Sequence, residues 1–475
     1  MQPLISHKML INRLILSGAL AFLLLAFQQS EASETKELSP SQVTSSAARN
    51  YPKILSYYEK VNAAEGSALG SLGFFDIKLK QNYYDKSRGF YDGKTSDTLL
   101  EKELGFLGAK VYGGYRRSTG DFPDYEGKSV TNENGEYRAG AKFSLLRDSL
   151  IDENRLGVIL SNLGLSESRI QLEAIKKEIE RDASKAYWKW VAAAKIFHIY
   201  QELYQLSLTR QSQLEERLKK GDVAQILVVE NKKNILRRKS ALARARQDFE
   251  NSAIYLSLFW RNQNGAPLLA KENQVPKVNF NLHEVKADQA QRDLDSALTN
   301  RAEVRILKIS REANLSELSF SKNLFKPQLD VDVGASKDLG RGSASRSQSE
   351  NYVGLEFSIP LQQREARGKT ALYESKLKSI KYEQQLAEEK IKAELAQIRV
   401  QISNIVEIHS NLTQEAELAE LLENSEREKF KHGASNFFLV NLREQDTADS
   451  KAAVIEIFEK YQGALADYKM AAFLN

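Results

Sequence analysis

Three Gly-Lys-Ser/Thr triplets offer the most suggestive chemistry in this 475-residue chain: Gly93-Lys94-Thr95, Gly127-Lys128-Ser129 and Gly368-Lys369-Thr370. A phosphate-binding loop needs a further glycine five residues upstream, so that consecutive backbone N–H groups can curl around the phosphates. Arg88, Phe122 and Gln363 stand at those positions, so nucleotide binding is not expected. The five histidines, at 7, 198, 283, 409 and 432, form no zinc-binding pair at helical spacing, and no serine sits in a nucleophile elbow. The absence of cysteine excludes disulfides, thiolate metal sites, thiol nucleophiles and an acylated N-terminal cysteine. The chain reads as a non-enzyme without cofactor or metal.

Composition narrows the remaining classes. Sixty-eight basic residues against 63 acidic leave a net charge of +5, without the basic excess of a nucleic-acid binder. A mean hydropathy of −0.47 argues against a bundle of membrane-spanning helices. The N-terminus qualifies a soluble reading. His7, Lys8 and Arg13 precede an apolar run from Leu14 to Phe27 that is short for a spanning helix, and Ser30 and Ala32 place small residues around a cleavage site. Residues 1–32 are therefore expected to be a signal peptide, and the mature chain to leave the cytoplasm.

What remains must position whatever the protein does, and prolines partition it. They occur at 3, 40, 52, 123, 267, 276, 327 and 360, leaving 124–266 and 361–475 free of helix breakers. Charged and apolar residues alternate at helical spacing from Asp152 to Lys220 and from Ala366 to Lys431. Each stretch predicts a rod about 100 Å long at 1.5 Å per residue. Ile179, Ala183, Ala186, Trp190, Ala193, Phe197, Tyr200 and Tyr204 follow a coiled-coil spacing, and Ala192, Ile196, Ile199, Leu203 and Leu206 form a second seam. Two seams suit a helix with neighbours on both sides, as in a helical barrel. Ile391, Leu395, Ile398, Ile402, Ile405, His409 and Leu412 repeat the pattern, with His409 read as a packed seam residue rather than a ligand.

The rods read as copies. Setting Gly221 against Gly433 pairs Leu227 with Leu439, Val228 with Val440 and Ala241 with Ala453. Glycine after Lys220 and His432 supplies the left-handed residue that ends a helix, so each copy predicts a long antiparallel helical hairpin. Upstream of each rod, the Gly140 to Leu145 segment matches Gly354 to Ile359. This predicts a first repeat over 33–290, with strands about 109–117 and 137–146, a hairpin about 152–260 and a linker over 261–290. The second repeat, 291–475, adds strands about 328–336 and 351–359 and a hairpin about 365–472.

Those four strands alternate. Val111 and Tyr115, Phe143, Val331 and Val333, and Leu355 and Phe357 mark the apolar, membrane-facing side, opposite residues such as Lys110, Lys142, Asp332 and Glu356. Segments of about ten residues with one apolar and one polar face, tipped by polar loops, fit an outer-membrane β-barrel. Four strands cannot close one, since about eight are needed, so several copies would have to share the sheet.

Four features then meet in one family. Ala297-Leu-Thr-Asn-Arg-Ala-Glu303 opens the second repeat, Lys326-Pro-Gln-Leu329 starts a strand, Phe357-Ser-Ile-Pro-Leu361 joins strand to helix, and two hairpins turn at Gly221 and Gly433. In these features the chain resembles the TolC-like outer-membrane factors, trimeric exit ducts of efflux pumps and type I secretion systems. Asn300 with Glu303 is read as a capping box.

The resemblance implies a mainly α protein with β: a homotrimeric duct with a periplasmic α-barrel of hairpins and a shared 12-stranded outer-membrane β-barrel, four strands per chain. It implies passive conduction, outer-membrane lipid around the strands, and partners in a periplasmic membrane-fusion adaptor and an inner-membrane pump, proton-driven or ATP-driven. The adaptor would dock at Lys220, Gly221, Asp222, His432, Gly433 and Ala434. The family's acidic aperture is not matched at Leu439 and Leu442, which leaves Asp222, Glu230 and Glu444 as aperture candidates. The alternative is a periplasm-spanning trimeric coiled-coil scaffold that conducts nothing. The segment 33–73 stays open, because Gly66, Gly70 and Gly73 weaken a helix assignment.

Overall fold

The computed structural model describes residues 37–474, so the expected signal peptide lies outside the described residues. Among them are eight α-helices: α1 Pro40–Asn50, α2 Pro52–Leu72, α3 Glu153–Lys219, α4 Gln225–Leu256, α5 Ala287–Asn300, α6 Ala302–Asn323, α7 Arg364–Lys431 and α8 Phe437–Ala471. The strands are β1 Ile77–Lys86, β2 Gly93–Glu103, β3 Lys110–Gly120, β4 Glu136–Ser144, β5 Gln328–Asp338 and β6 Ser349–Ser358. Helices dominate, and the two longest, α3 and α7, run for 67 and 68 residues.

Helix starts follow local chemistry. Ser39 caps α1 in a reciprocal box with Gln42, and a proline opens both α1 and α2. Asp152 accepts the Arg155 backbone N–H at 2.8 Å to start α3, and Asn436 accepts that of Leu439 at 2.9 Å to start α8. The segment left open, 33–73, thus forms two helices. Gly66 and Gly70 lie inside α2 with open space where a Cβ would point, so they cost propensity without breaking the helix. The capping box expected at Asn300 is not formed. Asn300 is the last residue of α5 and turns its amide back to Ser296, while extended Arg301 occupies the cap and pairs with Glu303 at 2.6 Å.

The chain divides into two units, each drawn from three separate segments. One takes the described residues of Met1–Tyr51 with Ile179–Glu284 and Gln401–Ala466. Its core forms where the heptad seam turns inward: Ile179, Ala183, Ala186, Trp190 and Phe197 are buried, Phe197 stacks on Phe249, and the Tyr187 hydroxyl donates to the Leu38 carbonyl at 2.7 Å. Each large side chain of this kind contributes about 1.5–3 kcal/mol on burial. Ile402 and Ile405 are buried on the later seam, and His409 sits half-buried, its pKa lowered by desolvation.

The second unit takes Pro52–Glu178, Val285–Val400 and the described residues of Asp467–Asn475, and it contains the whole sheet. The strands lie in chain order, β1-β2-β3-β4-β5-β6, each antiparallel to the next. Leu156, Phe320, Leu324 and Ala366 form a cluster beside it, with Ile151, Leu160 and Phe325 packed against them. Strands β3 to β6 fall on the four alternating segments, but the expected strand count of four is corrected to six. The two added strands escape an alternation test because β1 carries Gln81 and β2 carries Ser96 and Thr98 on the face where β5 and β6 carry Val331, Val333, Leu355 and Phe357. A 12-stranded total reached as four strands in each of three copies therefore has no basis in this sheet.

Candidate functional site

The sheet's chemistry follows from its register. Directly opposed residues in an antiparallel pair share a face, so the pairings sort every strand residue. Leu79 opposes Leu100, Leu100 opposes Gly113, Gly113 opposes Ala139, Ala139 opposes Ala335, and Ala335 opposes Asn351. Val111, Tyr115, Phe143, Val331, Val333, Leu355 and Phe357 all fall on this same face, and Leu355 and Phe357 are largely exposed there. Such an apolar face, left uncovered by the chain's own helices, requires an apolar partner phase or another protein surface.

The opposite face is charged, and its charges pair from strand to strand. Glu101 receives Lys80 at 2.5 Å and Lys110 at 3.0 Å; Arg138 meets Asp97 at 2.6 Å; Arg116 meets Glu136 at 2.5 Å; Lys142 bridges Asp330 at 3.3 Å and Glu356 at 3.0 Å. Tyr112 of β3 and Tyr352 of β6 reach toward each other across Gly140 and Gly334, joining hydroxyls there, and Tyr112 also donates to Asp332 at 3.0 Å. A Cβ on either glycine would strike a tyrosine ring. Gly140→Val should therefore displace Tyr112 and break its bonds, lowering the free energy of unfolding by about 1–3 kcal/mol and with it the denaturant midpoint. Gly354→Val, where a Cβ has ordinary room beside Asp332, is the control; equal midpoints in a denaturant titration would refute the close approach.

Two long loops, between β3 and β4 and between β5 and β6, fold together over one end of this polar face. Glu133 and Asn134 donate backbone N–H groups to Arg341 and Leu339, and Arg346 reaches the Gly127 and Val130 carbonyls. Between loops and sheet lies a cavity of about 890 Å³, bordered by Glu101, Tyr112, Arg116, Arg138, Arg346 and Tyr352.

The hairpin tips lie in the other unit and are built alike. Gly221 has φ +80° and Gly433 φ +74°. At the first, Gly221 N–H donates to Leu218 and Asp222 N–H to Arg217; at the second, Gly433 donates to Phe430 and Ala434 to Lys429. Both are the same two-bond helix stop, which satisfies the last carbonyls of α3 and α7. Lys220, Asp222, His432 and Ala434 are exposed around them. Leu214, Val228 and Phe437 form a buried cluster behind the tips, with Leu218, Leu227 and Phe430 against it.

Of the aperture candidates, Asp222 is exposed at the first tip and Glu230 is half-buried on α4. Glu444 is enclosed. Its carboxylate is bracketed by Arg210 of α3 at 2.7 Å through one oxygen and by a shorter bond to the other, by Arg238 of α4 at 3.0 Å and by Arg427 of α7 at 3.1 Å. An opening-lining role does not fit a side chain with no exposed surface. The three arginines went unnoticed in the sequence, yet a signal existed. Val228, Asn231, Ile235, Arg238, Leu242, Ala245 and Phe249 keep a heptad spacing, and a charged residue on that seam calls for a buried counter-charge.

The chemistry-like motifs are absorbed into structure. Gly93 begins β2, Gly127 lies in a 3₁₀ turn and Gly368 lies within α7, so none forms a phosphate cradle. Among the described residues, no three metal-ligating side chains gather, and no helix is long and apolar enough to cross a membrane.

No protein-family model and no curated protein matches the chain. Solved structures do. The open-state MtrE outer membrane channel of Neisseria gonorrhoeae superposes with a TM-score of 0.64 at 11% identity, covering 92% of this chain and 89% of that one. The outer membrane protein VceC of Vibrio cholerae gives 0.61 at 12% identity over 91% and 95%. The Campylobacter jejuni CmeC outer membrane channel gives 0.61 at 14% over 91% and 85%. At these identities the likeness is one of fold: the chain shares the fold of these outer-membrane proteins.

Proposed function

We propose that this chain is the outer-membrane channel of a tripartite efflux pump or type I secretion system, passing substrates outward without energy of its own. One observation carries the reading: the sheet register places an uncovered apolar face against an internally paired charged face across every strand. A scaffold standing in water has no use for such a sheet. Lipid of the outer membrane would cover the apolar side, and water would fill the space before the charged one. The helices would extend into the periplasm as a duct wall shared by three copies.

Energy enters from a proton-driven or ATP-driven inner-membrane pump, through an adaptor seated at Lys220, Gly221, Asp222, His432, Gly433 and Ala434. Asp222 and Glu230 stand nearest a role at the aperture. Opening would move one hairpin against its neighbours, a rigid-body rearrangement of packed helices. The two repeats, 33–290 and 291–475, would supply equivalent staves to the wall.

Reconstitution tests this. Purified protein in planar lipid bilayers is expected to give discrete conductance steps, and membranes washed with carbonate are expected to retain it until detergent is added. A silent bilayer together with release by carbonate would sink the channel reading and leave the scaffold.

A further inference from the structure

The sheet's two edges carry an inference about how copies join, resting on the three-copy channel just proposed. Six strands are too few to close alone, because the smallest barrels need about eight. Edges left open in a membrane would strand a row of backbone N–H and C=O groups in hydrocarbon, at a cost of several kcal/mol per group. β1 and β6 are those edges, and they are the most exposed strands of the sheet.

They are also complementary. With an even number of antiparallel strands, β1 and β6 run in opposite directions, so β6 of one copy meets β1 of the next in the antiparallel sense that the sheet already uses. On the charged face β1 presents Lys78, Lys80 and Lys86, while β6 presents Glu350 and Glu356. On the apolar face β1 presents Ile77, Leu79 and Tyr83, and β6 presents Val353, Leu355 and Phe357. Most polar groups that β1 and β2 place on the apolar face satisfy each other: Gln81 donates to Ser96 at 3.0 Å, Thr98 bonds to Gln81 and Lys94 meets Asp85 at 3.0 Å. Exposed Lys102 stands one residue from the end of β2, where a long side chain can reach the membrane surface. The added hairpin therefore fits a lipid-facing wall.

We infer that the occupant of each edge is a second copy of this chain, β1 pairing with β6, and that three copies of six strands close an eighteen-stranded barrel. Diameter grows roughly in proportion to strand number, and barrels of about 16–18 strands enclose an aqueous channel. Such a barrel would be half as wide again as one of twelve strands.

Engineered thiols decide it cleanly, because the chain has no cysteine of its own. In the full-length protein, Gln81→Cys is combined in turn with Asn351→Cys, Val353→Cys or Leu355→Cys, three neighbouring registers on the apolar face. Under mild oxidation in membranes, at least one pair is expected to give a disulfide-linked ladder that ends at three chains. Gly113→Cys combined with the same three β6 positions tests a ring in which the β1–β2 hairpin swings away. Cross-linking of the Gly113 pairs in place of the Gln81 pairs would overturn the eighteen-stranded closure while leaving a channel of three copies intact. A ladder that stops at two chains would also overturn it, in favour of a two-copy barrel. Absence of any cross-link, with conductance present, would refute edge-to-edge pairing; absence of both would remove the channel reading as well.

Discussion

Replacing Glu444 by alanine is expected to lower the stability of the folded chain by about 3–5 kcal/mol, because it leaves buried arginine charge without its counter-charge. Arg238 is almost fully buried and Arg210 nearly so, and both meet Glu444. The carboxylate also ties α3, α4 and α7 to α8, so four helices lose a common anchor. Chemical unfolding followed by circular dichroism would measure the loss. A change below about 0.5 kcal/mol would mean that the cluster opens to water.

The same group sets an acid response. Burial is the largest influence on Glu444 and pushes its pKa up, but the hydrogen bonds and charge of Arg210, with Arg238 and Arg427, outweigh it and hold the pKa below the ordinary glutamate value. A carboxylate depressed in the folded state contributes its full stability above the unfolded value, about 4.3, and loses it as pH falls through the folded one. Glu444→Gln should flatten this part of the stability profile below about pH 4.3 while leaving its slope above pH 6 unchanged.

The second large effect concerns the apolar face. Val333→Arg is expected to cost about 2–4 kcal/mol in lipid, the penalty for arginine near the bilayer midplane of a barrel. Asn82→Arg, on the charged face opposite Asp97, should be close to neutral. The ratio of folded to unfolded protein in urea, measured in phospholipid vesicles, separates the two. If both variants behaved alike, the sheet would not be facing lipid, and the face assignment from the register would fall.

How far the sequence reached can be judged from individual residues. Strands β3 to β6 were legible because residues such as Val331, Val333, Leu355 and Phe357 repeat at every second position with polar neighbours between. β1 and β2 were not, since Gln81, Ser96 and Thr98 satisfy one another by cross-strand bonds that no single-strand pattern reveals. Both tips were readable from Gly221 and Gly433, whose positive φ the chain needs to turn back. Arg301 displaced Asn300 as the cap of α6 because one helix ends where the other begins, a boundary that periodicity blurs. The Glu444 cluster joins residues more than 200 positions apart, and only the folded helices bring them into register.

The paired charges of the sheet have a consequence for whatever lies against them. Neighbouring strands are about 4.8 Å apart, less than the screening length of about 8 Å in physiological salt. Where Lys80 and Lys110 close on Glu101, or Lys142 on Asp330 and Glu356, opposite fields cancel before they reach far into solution. Such a surface behaves as a zwitterionic coat: strongly hydrated, and with little grip on solutes of either sign.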